Sequence, residues 1–221
     1  MDTEPRKPES EAGGSEDALK FVAARMKNGV EKAKIVDEMA QGGMDKRQAE
    51  RLVDAAYRQV VQMVLQEKVT GGAIQSGILG GLAAALFGGV AWATISILTG
   101  YELGIAAWGL GFLSGYAVVA FAGGRKGTAL QVIAAVAAVL AVLVGKYAAF
   151  AYYFSGEMAG GWDFNVFFDG QVVTAFFEAI PQIASGFDLF WILLAIASAW
   201  KIPKGLGIDL PPQYQPPFVT G

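Results

Sequence analysis

Apolar residues recur every three to four positions from Leu19 to Val64, then merge near Ala73 into unbroken runs long enough to cross a bilayer. The first pattern predicts three short helices. Leu19, Val22, Ala23 and Met26 form a stripe that opens at Ser15, an N-cap followed by Glu16 and Asp17, and closes at Asn28-Gly29. Val30, Ala33, Ile35, Val36 and Met39 make a second stripe that stops at Gly42-Gly43. A third helix opens at Asp45, with Gln48 three residues on in an approximate capping box, and carries Ala49, Leu52, Val53, Ala56, Tyr57, Val60, Val61 and Val64 on one face. Residues 16–70 therefore read as a small cytosolic helical module. Residues 1–15, rich in Pro, Glu, Ser and Gly, read as a disordered tail.

The second pattern divides at polar punctuation into four spans, at about 73–98, 103–122, 128–150 and 183–202, each near the ~20 residues a membrane helix requires. Between the third and fourth lies an outer loop, 151–182. Its Phe-rich stretch Phe164–Ile180 ends before Pro181 and is expected to lie at the interface or to re-enter, with Trp162, Phe164, Phe167 and Phe168 among the headgroups. Residues 204–221 are expected to be a Pro-rich cytosolic tail, in which PPQYQPP at 211–217 reads as polyproline-like and unable to form a core; its Pro-Pro-Gln-Tyr matches a WW-domain ligand pattern, a weak signal because Pro-rich tails produce it by chance. The fold class is thus all-α: a polytopic membrane protein with four transmembrane helices and a small N-terminal three-helix module.

Charge fixes the orientation. Residues 1–70, Arg125-Lys126, and Lys201 with Lys204 hold 16 of the 17 Lys and Arg, and four spans place all three segments on one side, which the positive-inside rule makes the cytoplasm. The loop 151–182 holds Glu157, Asp163, Asp169 and Glu178 and no base. Met1–Asp17 lacks the basic and apolar stretches of an export signal, so none is expected. Among the 221 residues there is no Cys and no His, and the mean hydropathy is +0.41. Disulfide frameworks, thiol or histidine catalysis and the usual Zn, Cu and haem ligand sets are excluded, and no cofactor is expected. The first seventy residues are densely charged but nearly neutral, with 12 bases and 13 acids, which argues against a nucleic-acid partner and against reading residues 45–58 as a recognition helix.

Within the spans three features carry candidate function. Gly77, Gly81, Ala85 and Gly89 form a small-residue ridge on span one, flanked by Gly80, Ala84 and Gly88; Ala107, Gly111 and Gly115 repeat the spacing on span two. Such ridges let backbones approach closely, so spans one and two are expected to pack as a tight hairpin through these faces, with self-association through a leftover ridge as the alternative. Glu102, Lys146 and Asp188 are the ionisable residues of the spans, all toward the outer face. They are either interfacial anchors or a buried cluster in which Lys146 pairs with Glu102 or Asp188. Arg125 and Lys126, between Gly124 and Gly127, are placed to meet anionic headgroups, though a charged hairpin satisfies orientation without a ligand.

The segments GYELGIAAWGLGFLSGYAV (100–118), GGRKGTALQVIAAV (123–136) and FDLFWILLAIASAWKIP (187–203) resemble the membrane module of a widespread group of functionally uncharacterised bacterial multi-pass proteins. The resemblance covers about residues 71–203. It implies a bacterial inner-membrane protein whose soluble N-terminal part varies between members, and it implies no reaction and no catalytic residue. The expected function is a non-enzymatic membrane scaffold or anchor, with both termini cytoplasmic, that assembles with itself as a homo-oligomer or within a membrane complex. The rival is a small ion or solute channel or transporter subunit with a polar cluster at its outer face. Little beyond Gln75, Ser76 and Gln131 offers such a route a polar lining on the cytoplasmic side.

Overall fold

The computed structural model describes residues 9–100, 104–158, 163–183 and 186–214. Among them every regular element is a helix: α1 (Glu9–Lys27), α2 (Lys32–Gln41), α3 (Lys46–Glu67), α4 (Gly71–Thr99), α5 (Gly104–Phe121), α6 (Thr128–Met158), α7 (Gly170–Ile183) and α8 (Gly186–Lys201), with 3-10 helices at Phe164–Phe168 and Pro212–Tyr214. These elements form two compact units. Unit 1 takes the chain up to Lys68 together with the chain from Leu206; unit 2 is Val69–Gly205.

In unit 1 the three amphipathic helices bury their stripes against one another. Val22, Ile35, Val53 and Val60 are fully buried at the centre. The turn after α1 is closed by Gly29 in the left-handed region (φ 71°), with its N–H on the Met26 carbonyl and that of Val30 on Arg25. Asp45 caps α3 by accepting from the N–H groups of Arg47 (3.1 Å) and Gln48 (3.3 Å). Exposed ion pairs Arg25–Glu38 (2.8 Å) and Lys32–Asp54 (2.7 Å) join neighbouring helices at the surface. Two expectations need correction. α1 begins at Glu9, so Ser15 lies inside the helix instead of capping it. The described part of the tail, up to Tyr214, packs into the core of unit 1, PPQYQPP contributing Tyr214. Ile208 and Leu210 are buried among the α1–α3 side chains, Leu206 packs beside them, and Tyr214 sets its ring 5.7 Å from that of Tyr57. The backbone N–H of Leu206 donates to Glu67 Oε2 (2.8 Å) and ties the returning strand of chain to the end of α3.

Unit 2 is built from α4, α5, α6 and α8. α5 and α6 touch each other and both remaining helices, which leaves α4 and α8 on opposite sides of that pair. α4 and residues 128–156 of α6 are each long and apolar enough to cross a membrane; α5 and α8 are shorter, at 18 and 16 residues. Thr70 caps α4 through the Ala73 N–H, and the helix ends at Gly100 in the left-handed region (φ 69°). α5 ends in a Schellman turn, with Gly124 N–H on Val119 O and Gly123 N–H on Ala120 O, both glycines having positive φ. The Gly127 N–H then donates to Pro203 O (2.8 Å), and Arg125 Nη1 reaches Thr70 Oγ1 (3.4 Å). The start of α4, the α5–α6 turn and the end of α8 therefore share one end of the bundle. α6 runs eight residues past Phe150, and Pro181 lies inside the last turn of α7, not after it.

The interior of this bundle is made of small residues. Ala134, Ala138, Ala141, Ala199 and Ser114 are fully buried, while large apolar side chains face outward: Leu98 is 81% exposed and Phe87 71%, with Leu79, Leu82, Ile105, Phe121, Leu189 and Leu193 also exposed. Unit 1 has the opposite arrangement, Val and Ile inside and charge outside.

Candidate functional site

The small-residue ridges of α4 are consumed within the chain. A Cβ at Gly89 lies 2.7 Å from Ala141 O and 2.8 Å from Val144, and one at Gly77 lies 2.8 Å from Leu130; Gly81 approaches Ala137 and Val118, and Ala85 is buried between them. That ridge faces mainly α6. The adjacent ridge faces α5: a Cβ at Gly80 is 2.5 Å from Ala117 O, and one at Gly88 is 2.8 Å from Leu110. Neither ridge is left over for a second copy. Gly111 and Gly115 do not face α4, as the hairpin expectation required. A Cβ at Gly111 would collide with the Ala195 backbone and one at Gly115 lies 3.1 Å from Ala199 O, so these glycines let α8 close on α5. The spacing correctly signals close approach, but it does not encode which helix approaches.

Lys146 on α6 pairs with Asp188 on α8, Nζ to Oδ1 3.0 Å, with the two side chains only 12% and 20% exposed. Of the two partners open to Lys146 in the sequence, Asp188 is thus in place; Glu102 lies outside the described residues. The pair stands in the first turn of α8 and the second half of α6, at the end of the bundle opposite the Arg125 turn. In the second half of α4, Trp92 and Ser96 are both buried, and Trp92 Nε1 and Ser96 Oγ, like Ser114 Oγ on α5, have no hydrogen-bond partner among the described residues. Trp92 presses its six-membered ring on Gly145, the residue before Lys146, which has no room for a Cβ. The sequence marks Gly145 and Trp92 only as one glycine and one aromatic among apolar residues.

At the other end the polar residues serve structure. Gln131 Nε2 donates to Trp200 O (2.9 Å) and Gln75 is exposed on the bundle flank, while Leu130, Val118 and Ala134 fill the interior at that level with no exposure. Among the described residues no continuous polar lining joins this end to the Lys146–Asp188 pair. Arg125 and Lys126 sit in the α5–α6 turn, where Arg125 is engaged with Thr70. The loop residues Phe164 and Phe168 are exposed. Phe167 turns inward, its carbonyl accepting from the Tyr147 hydroxyl (2.8 Å), and Phe176 of α7 packs on Tyr147 and Phe150. Trp162 lies outside the described residues. No group of three or more acidic residues able to hold a metal occurs among those described. No protein-family model, no curated protein and no solved structure matches the chain.

Proposed function

We propose that the chain is a non-enzymatic membrane anchor and scaffold: unit 2 spans a bacterial inner membrane with α4, α5, α6 and α8, and holds unit 1 at the cytoplasmic face within an assembly of copies or a larger membrane complex. The observation that carries this reading is the opposed polarity of the two units, Ala, Gly and Ser inside and Leu and Phe outside in unit 2, and the reverse in unit 1. Exposed apolar area on that scale is unstable in water and ordinary in lipid, where close packing of small residues replaces the hydrophobic effect between helices. Two further observations support an even number of crossings. Thr70, Arg125, Gly127 and Pro203 meet at one end of the bundle, and the segments leaving both ends of unit 2, Lys68 and Leu206, belong to one compact unit.

The channel reading draws support from the partnerless Trp92, Ser96 and Ser114 atoms and the buried Lys146–Asp188 pair. The apolar fill around Leu130 and Val118 weighs against it, since a conducting route requires polar or hydrated lining along its whole length. Purification from native membranes in mild detergent, with mass measurement of the intact complex, tests the scaffold reading. The expected mass exceeds that of one 23.3 kDa chain. Release of the chain by alkaline carbonate would overturn membrane anchoring, and a lone monomer would overturn assembly.

A further inference from the structure

A cavity of about 640 Å³ opens on the flank of unit 2. It is lined by α4 residues from Leu86 to Leu98, by Val144, Tyr147 and Ala148 of α6, and by Phe164, Phe167 and Phe168 of the 3-10 helix. Its volume lies within the ~300–1,000 Å³ of ordinary ligand sites. Its lining leaves little for a polar ligand to bind. Thr94 donates its hydroxyl to Val90 O (2.9 Å) and Tyr147 donates to Phe167 O (2.8 Å), so two of its three hydroxyl-bearing residues have spent their protons on the chain itself.

Length and charge identify the occupant. The twelve steps from Leu86 to Leu98 rise roughly 18 Å at ~1.5 Å each, close to the ~15 Å depth of one leaflet in a hydrocarbon core of about 30 Å. The lining residues Phe164 and Phe168 each adjoin an acid in sequence. Asp163 and Asp169 flank the 3-10 helix, both exposed, and no Lys or Arg occurs between Lys146 and Lys201. Each carboxylate uses Oδ1 for the backbone, Asp163 for Asn165 and Asp169 for Gln171.

We propose that this groove holds one acyl chain of an outer-leaflet phospholipid whose headgroup ends in an ammonium, with the chain along α4 and the headgroup beside Asp163 and Asp169. Anionic headgroups are disfavoured there by like charge. The proposal rests on the membrane reading of unit 2.

The test uses full-length protein, delipidated in detergent and titrated with phosphatidylethanolamine or phosphatidylglycerol of identical chains, with bound lipid counted by native mass spectrometry. The expected result is one retained lipid and a preference for the ethanolamine headgroup of up to about fivefold, the upper end of what an exposed ion pair supplies. Val90→Trp and Thr94→Phe, both exposed positions lining the groove, should abolish retention. Leu79→Trp, exposed but outside it, should not. Asp163→Asn with Asp169→Asn keeps the backbone acceptors and should erase the headgroup preference while retaining the lipid. Equal retention by all variants means annular lipid only and overturns the site; no retention by the wild type overturns it too; equal affinity for both headgroups overturns the role of the acids. Extraction of the protein from membranes by carbonate, read separately, reports failure of the membrane reading itself.

Discussion

Lys146 and Asp188 stand 3.0 Å apart on different helices, each more than three-quarters buried, in a bundle whose other interior side chains are mostly Ala, Gly and Ser. Two opposite charges at that distance in apolar surroundings stabilise one another far more than either is stabilised alone, and they fix the register of α8 against α6.

Breaking the pair one member at a time should therefore cost more than removing both. Lys146→Met or Asp188→Asn is expected to lose on the order of 3–5 kcal/mol, as for other buried pairs, and the double variant clearly less than the sum. Thermal unfolding in detergent measures the cycle. Strict additivity would show that each charge is held by other groups.

Glycine variants separate packing from propensity. Gly111→Ala and Gly89→Ala place a Cβ against backbone carbonyls of the next helix and should cost roughly 1–3 kcal/mol through overpacking. Gly109→Ala meets nothing within 4 Å and should gain up to about 1 kcal/mol from helix propensity. Comparable melting temperatures for Gly111→Ala and Gly109→Ala would mean that α5 and α8 are not in contact.

Unit 1 should depend on the segment that follows the bundle. Ile208→Ala removes a buried side chain and is expected to cost about 2–5 kcal/mol, Tyr214→Ala about 0.5–1.5 kcal/mol for the lost aromatic pair. Chemical denaturation followed by tyrosine fluorescence reads both; unchanged midpoints would detach residues 206–214 from the core.

The Tyr57 phenol gives unit 1 an alkaline limit. Burial pushes its pKa above the ordinary tyrosine value, Tyr214 adds to the rise, and Lys32, whose ammonium lies 5.7 Å from the ring, opposes it. The folded pKa being the higher, this contribution to stability is complete below about pH 10 and is lost as pH climbs through the raised value. Stability against pH should fall in that range for the wild type and less for Tyr57→Phe. Identical alkaline profiles would refute the assignment.

The chain has no native Cys, so single cysteines report sidedness cleanly. Lys68→Cys, Arg125→Cys and Gln213→Cys should resist an impermeant thiol reagent applied to intact cells, and Asn165→Cys should react. Labelling at Gln213 without labelling at Asn165 would invert the four-span arrangement.

Local signals in the sequence locate much of this architecture. Gly29, Gly42 and Asp45 mark helix ends by their own backbone chemistry, and the α3 stripe appears as periodicity because one face alone is buried. Of the partners open to Lys146, Asp188 is observed in contact with it. What a single sequence lacks is the identity of distant partners. Gly111 announces a close neighbour, but α4 and α8 are equally plausible occupants of that space until the bundle is assembled. Ile208 and Leu210, set between glycine and proline, have no period to reveal them. Their burial depends on a surface contributed more than a hundred residues earlier.

The bond from Leu206 N–H to Glu67 Oε2 joins residues 139 apart in sequence, and α4 to α8 lie between them. A ribosome adding ~5–20 residues per second needs about 7–28 s to cover that interval. For that time the three amphipathic helices exist with the place of Ile208 and Leu210 unfilled, exposing apolar surface to the compartment in which they were made. Completion of unit 1 thus becomes a report that α4 to α8 have been synthesised, and a chain arrested before residue 206 carries a persistent sticky patch of the kind that chaperones and proteases recognise.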